Sequence, residues 1–84
     1  MIVHVQLFAR ARDLACTGQV DTELAEGATV ADLRRRLAAD NPALAGLLER
    51  SAIAVDNDFA EDSRVLSANA EVALLPPVSG GESL

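Results

Sequence analysis

A chain of 84 residues that is 50% hydrophobic but holds only two aromatics, Phe8 and Phe59, has the material for one domain with an aliphatic core of Ala, Val and Leu. Thirteen acidic side chains against seven arginines give a formal charge of −6. That balance argues against nucleic acid and against an anionic membrane surface, because phosphate binding needs clustered Lys and Arg. It fits a basic protein partner, or plain solubility.

"IVHVQLFA" alternates, with Val3, Val5, Leu7 and Ala9 on one face and Ile2, His4, Gln6 and Phe8 on the other. It reads as a strand that starts almost at Met1, with no room for a cleaved leader. "ARARDLACTGQ" is polar and holds Gly18, so a loop or wide hairpin turn is expected. "VDTEL" alternates again and reads as a second strand. "ATVADLRRRLAADNP" is the clearest helix. Thr29 takes the N-cap position and Asp32 the place of the capping-box acid. Val30, Leu33, Leu37 and Ala38 share one face, and Arg34, Arg35 and Arg36 read as a solvated one. Asn41-Pro42 ends the helix, since the residue before proline disfavours the α region.

Beyond it, "ALAGLLER" suggests a short helical turn under the sheet. "AIAVDNDF" suggests a brief strand entering an Asp-Asn-Asp turn, and "SRVLSANAEVALL" two short strands around Ser67–Asn69. Asn69 suits a left-handed turn. One main helix can cover only one sheet face. The expected fold class is therefore α+β: a mixed, mostly antiparallel sheet curled over Val30, Leu33 and Leu37. The first and last strands suit central positions. The domain spans residues 1–75, and residues 76–84 form a tail.

The helix leaves one sheet face open. If Val3, Val5 and Leu7 point inward, Phe8 points outward. If Val72 and Leu74 point inward, Ala73 and Leu75 point outward. Phe59, beside a turn, can join them. An exposed apolar patch on a small domain marks a partner site more often than not.

The tail reads "LLPPVSGGESL". Pro76 and Pro77 lack amide hydrogens, so they end the last strand and launch a stiff, extended chain. Gly80 and Gly81 have no Cβ, so this dipeptide can enter a channel too narrow for other residues and leaves its carbonyl open to attack. From Pro76 to Gly81 an extended chain reaches roughly 20 Å, at about 3.3 Å per residue.

These stretches, with "LFARARDL", "ATVADLRRRL", "AVDND" and above all "EVALLPPVSGG", resemble the small subunits of molybdopterin synthase, ubiquitin-like sulfur carriers with the β-grasp fold. The resemblance runs from Met1 to Gly81. It implies a carrier subunit without an active site or bound cofactor of its own, within a heterotetrameric synthase. An E1-like activating enzyme would use ATP to adenylate the terminal glycine, and a sulfur donor would convert it to a thiocarboxylate. The large synthase subunit would then take up the tail, and the sulfur would go to cyclic pyranopterin monophosphate in molybdenum cofactor synthesis. By position, Gly81 would carry the sulfur and Gly80 would give clearance. Phe8, Phe59 and Leu75 would dock the partner, with Pro76, Pro77, Val78 and Ser79 lining its channel. Two readings stay open beside it: a ubiquitin-like protein modifier, and a sulfur carrier for thiamine or cysteine synthesis.

Residues 82–84 depart from that pattern, since such chains normally end at the second glycine. Their removal by a processing peptidase is expected, because only then does Gly81 expose a carboxylate. His4 reads as a surface histidine and no metal site is expected. Cys16 is a single cysteine, which rules out an intramolecular disulfide and suits a reducing compartment. With no segment long enough to span a bilayer, a cytoplasmic location is expected.

Overall fold

The computed structural model describes residues 1–77. Five strands form one sheet: β1 (Ile2–Leu7), β2 (Gln19–Glu23), β3 (Ala52–Val55), β4 (Asp58–Phe59) and β5 (Glu71–Leu75). Their spatial order is β2-β1-β5-β3-β4. β1 pairs antiparallel with β2, and β3 pairs antiparallel with both β4 and β5. The β1–β5 ladder is parallel, with Val5 opposite Val72 and Leu7 opposite Leu74. The expected mixed, mostly antiparallel sheet is therefore present, with β1 and β5 in its interior.

Helix α2 (Val30–Asp40) packs on one face. Its start is fixed by the expected capping box. The Thr29 hydroxyl accepts from the Asp32 backbone N–H at 3.3 Å, and Asp32 accepts from the Thr29 backbone N–H at 2.9 Å. At the other end, the Asn41 N–H donates to the Leu37 carbonyl at 2.8 Å before Pro42 diverts the chain. Val30, Leu33 and Leu37 are fully buried against Val3, Val5, Leu7, Ile53 and Leu74. A 3₁₀ turn (Pro42–Leu44) and the short helix α3 (Ala45–Leu48) close the base of this core with Leu44, Leu47 and Leu48. The core is aliphatic, and neither phenylalanine belongs to it.

Two turns use backbone conformations that Asn and Asp tolerate. Asp56 and Asn57, both at positive φ (50° and 74°), make the two-residue connection of the β3–β4 hairpin. Asn69 takes φ 61° ahead of β5, as its sequence position suggested.

Four expectations are corrected. Residues Ala9–Ala15, expected as loop, form a short helix, α1, whose Ala11 is fully buried. Ala9 opens that helix and is exposed, so it does not extend the inward face of β1. The first of the two short strands expected around Ser67–Asn69 reduces to an isolated bridge between Val65 and Thr29. Arg34 is not part of a solvated face. Its side chain is 21% exposed, it pairs with Asp62 at 2.8 Å, and its guanidinium donates to the carbonyls of Leu48 and Ser51. It thereby ties α2 to the end of α3 and to the segment before Val65. Arg35 and Arg36 stay exposed, paired with Asp32 and Asp40 on their own helix.

Candidate functional site: the open face of the sheet

Strand register arranges the uncovered face in rows. Inward residues alternate with outward ones, so His4, Gln6 and Phe8 stand outward on β1, Glu71, Ala73 and Leu75 on β5, and Ala52 and Ala54 on β3. Gln6, Ala73, Ala54 and Phe59 lie side by side across four strands, because Gln6 pairs with Ala73, Ala73 with Ala54, and Ala54 with Phe59. In the next row, Leu75 pairs with Ala52, and Phe8 follows Leu7 at the level of Leu75. Phe8 is 46% exposed and Phe59 76% exposed, while Leu75 and Pro76 are half-buried and Pro77 is exposed. A shallow hollow of about 140 Å³ lies in the middle of the face, bounded by Gln6, Phe8, Ala54 and Ala73 and, toward its polar end, by Asn57 and Glu71.

The other end of this face is polar. His4 Nδ1–H donates to Asp21 at 2.8 Å, and the Gln19 amide donates to the same carboxylate at 3.0 Å. These bonds, led by His4, hold the Asp21 carboxyl below the usual carboxylate range. Asp56 Oδ1 accepts from the Glu71 backbone N–H at 3.1 Å, and the Asp56 N–H donates to the Glu71 carbonyl at 2.8 Å. The face thus grades from an acidic end, with Asp21, Glu71 and Asp56, to an apolar end where the chain leaves β5.

The structure brings Phe8, Leu75, Pro76 and Pro77 to one end of this face, and places Phe59 on the same face but on the edge strand β4, two strands from β5. Val78, Ser79, Gly80 and Gly81 lie outside the described residues. Ala52 and Ala54 also belong to the open face but do not stand out in the sequence. Alternation within "AIAV" would have found them, once Ile53 and Val55 were assigned inward. Cys16 is exposed at the C-cap of α1, where its thiol lies 3.7 Å from the Asp13 carbonyl. Among the described residues no group of three His, Cys, Asp or Glu could hold a metal, and no helix is long and apolar enough to cross a membrane. The chemistry this surface offers is recognition: an apolar area with two protruding rings and an acidic margin.

A mixed five-stranded sheet wrapped on one main helix, with a bare opposite face, defines a ubiquitin-like β-grasp domain. The structure shares this fold with SAMP1 from Haloferax volcanii at a TM-score of 0.86, with 27% identity over 96% of this chain and 100% of that one. It shares it also with a Helicobacter pylori complex of subunits 1 and 2 of molybdopterin-converting factor, at a TM-score of 0.70 and 23% identity over 96% of this chain and 100% of the matched one. The chain belongs to the ThiS family, whose model matches residues 5–81. It is 32% identical to the molybdopterin synthase sulfur carrier subunit of Chlamydomonas reinhardtii, over 96% of this chain and 100% of that protein.

Proposed function

We propose that this chain is a sulfur carrier in molybdenum cofactor synthesis, and that its open face docks the large subunit of molybdopterin synthase. What supports this most directly is the apolar area of Phe8 and Leu75 at the root of the Pro76-Pro77 tail, with Phe59 exposed on the same face two strands away, in a chain similar over its length to a protein of that name. In this reading an activating enzyme joins the Gly81 carboxylate to the α-phosphate of ATP, and pyrophosphate leaves. A sulfur donor then displaces AMP and leaves a thiocarboxylate. The carrier contributes positioning rather than acid–base groups. Gly80, lacking a Cβ, would give clearance inside the partner, and Pro76, Pro77, Val78 and Ser79 would line its channel.

Residues 82–84 bear on this directly. With them in place the Gly81 carbonyl is an amide, which cannot be adenylated. A free carboxylate at Leu84 would lie about 10 Å farther along an extended chain, far beyond the ~3.5 Å approach that reaction requires. Removal of Glu82-Ser83-Leu84 by a peptidase would therefore precede activation. The test is adenylation and thiocarboxylate formation by the 84-residue chain against one ended at Gly81, read by intact mass. Activity only in the shorter chain is expected. Equal activity in both would overturn the processing step, and inactivity of both would overturn the carrier reading.

A second reading is favoured by the likeness to SAMP1, a small archaeal modifier protein by name. The chain would then be joined through Gly81 to amines of other proteins. High-mass conjugates on a denaturing gel, without sulfur transfer to a pterin, would select it.

A further inference from the structure

Among the described residues, five non-glycine positions have positive φ. Asp56, Asn57 and Asn69 are of types that tolerate it, and Cys16 is a helix C-cap. Ala9, at φ 50°, has neither excuse: its methyl makes no hydrogen bond that could offset the left-handed conformation. Strain of this kind persists only where the surroundings enforce it.

The surroundings of Ala9 are specific. Phe8 keeps the extended backbone of β1 (φ −125°, ψ 157°), so its ring continues the outward alternation after Leu7. The Phe8 carbonyl then accepts from the N–H of Ala11 at 3.1 Å and of Arg12 at 3.5 Å. A chain that stayed extended at residue 9 would carry Ala11 away from that carbonyl. The left-handed step turns it back within three residues and seats Ala11 in the core. It also ends β1 with Phe8 pinned from both sides, against β1 before it and α1 after it.

We propose that Ala9 is a positioning residue for partner recognition: its left-handed backbone fixes the Phe8 ring at the hollow it shares with Gln6, Ala54 and Ala73 on the open face. This rests on the carrier reading for its consequence, the docking of a large subunit. The ring placement itself is testable without a partner.

In the full chain, Ala9→Val strains the left-handed step further, whereas Ala9→Gly and Ala9→Asn accommodate it. The first readout is the ring-current shift that Phe8 imposes on the Ala73 methyl resonance. Ala9→Val is expected to collapse it while the core methyls of Val72 and Leu74 hold, and Ala9→Gly and Ala9→Asn should preserve it. An unmoved Ala73 methyl in Ala9→Val overturns the proposal. Should Ala9→Val fail to fold, Ala9→Thr, β-branched like Val but polar at this exposed position, replaces it. The second readout is affinity for the large molybdopterin synthase subunit of the same organism. Ala9→Val should weaken binding about tenfold, but no more than about twofold when Phe8→Ala is already present. An equal loss in both backgrounds would mean a merely structural role and overturn the proposal. If the parent chain does not bind that subunit, the carrier reading fails, and the Ala73 shift alone decides the role of Ala9.

Discussion

The two phenylalanines should differ in what they cost when truncated, and the structure gives the order. A phenylalanine buries on the order of 200 Å² when fully covered. At 76% exposure Phe59 leaves about 150 Å² for a partner to cover, and at 46% Phe8 leaves about 90 Å². At about 25 cal/mol per Å² the ceilings are about 4 kcal/mol for Phe59 and about 2 kcal/mol for Phe8. Coverage is never complete, so half of the first figure, about 2 kcal/mol or roughly thirtyfold in affinity, is the working value for Phe59→Ala. Folding should rank the other way. Phe59 lies at the end of a two-residue edge strand with its ring in water, so its truncation should change stability by only about 0.5 kcal/mol. Phe8 is more than half covered by its own chain, so Phe8→Ala should destabilise more. Calorimetric titration against the large subunit, with urea midpoints for each variant, reads both effects. Unchanged affinity in Phe59→Ala beside a tenfold or larger loss in Phe8→Ala would refute the footprint: the partner would then stop short of β4.

Two further outcomes are expected. Arg34→Ala removes the donor to the Leu48 and Ser51 carbonyls and the partner of Asp62, and should lower stability by about 1–3 kcal/mol in urea unfolding, while Arg35→Ala should cost less than about 1 kcal/mol. Asp32 is held below its ordinary value of 3.8, chiefly by the Thr29 backbone N–H, so the unfolded chain takes up its proton at higher pH than the folded one. The advantage of the parent over Asp32→Asn should therefore be full well above 3.8 and shrink as pH falls through the depressed folded value; a gap independent of pH would contradict the charged capping box.

Much of this architecture is legible in the sequence because single residues state it locally. Val3, Val5 and Leu7 fix the register of β1, and a one-residue slip would have put Phe8 in the core. Thr29 and Asp32 announce the start of α2, and Asn69 marks a left-handed turn. What stayed hidden has no such local mark. Helix α1 buries only Ala11, so "ARARDLA" carries no apolar stripe. Arg34 looks like its two neighbours. It lies one turn from both Val30 and Ala38, however, on the flank of the buried stripe, and only the docking of α3 reveals the carbonyls it serves.

The direction of the β1–β5 ladder was hidden too, and the site depends on it. The sequence places an outward Phe8 at the end of β1 and an outward Leu75 at the end of β5. It does not say whether those ends meet. Had the two strands run antiparallel, Phe8 would stand at the far end of the sheet from Pro76, and the apolar area would have no relation to the tail. Because the ladder is parallel, with Leu7 opposite Leu74, both strands finish at one edge. β3 begins at that edge as well, since Ala52 faces Leu75. Three strands thus bring Phe8, Leu75 and Ala52 to the point where Pro76 leaves the sheet. A partner that covers this area also receives the tail at its root, so binding energy gained on the face can orient the terminus. In the proposed function this is how the carrier domain takes part in the chemistry: the parallel ladder joins the docking surface to the reacting end.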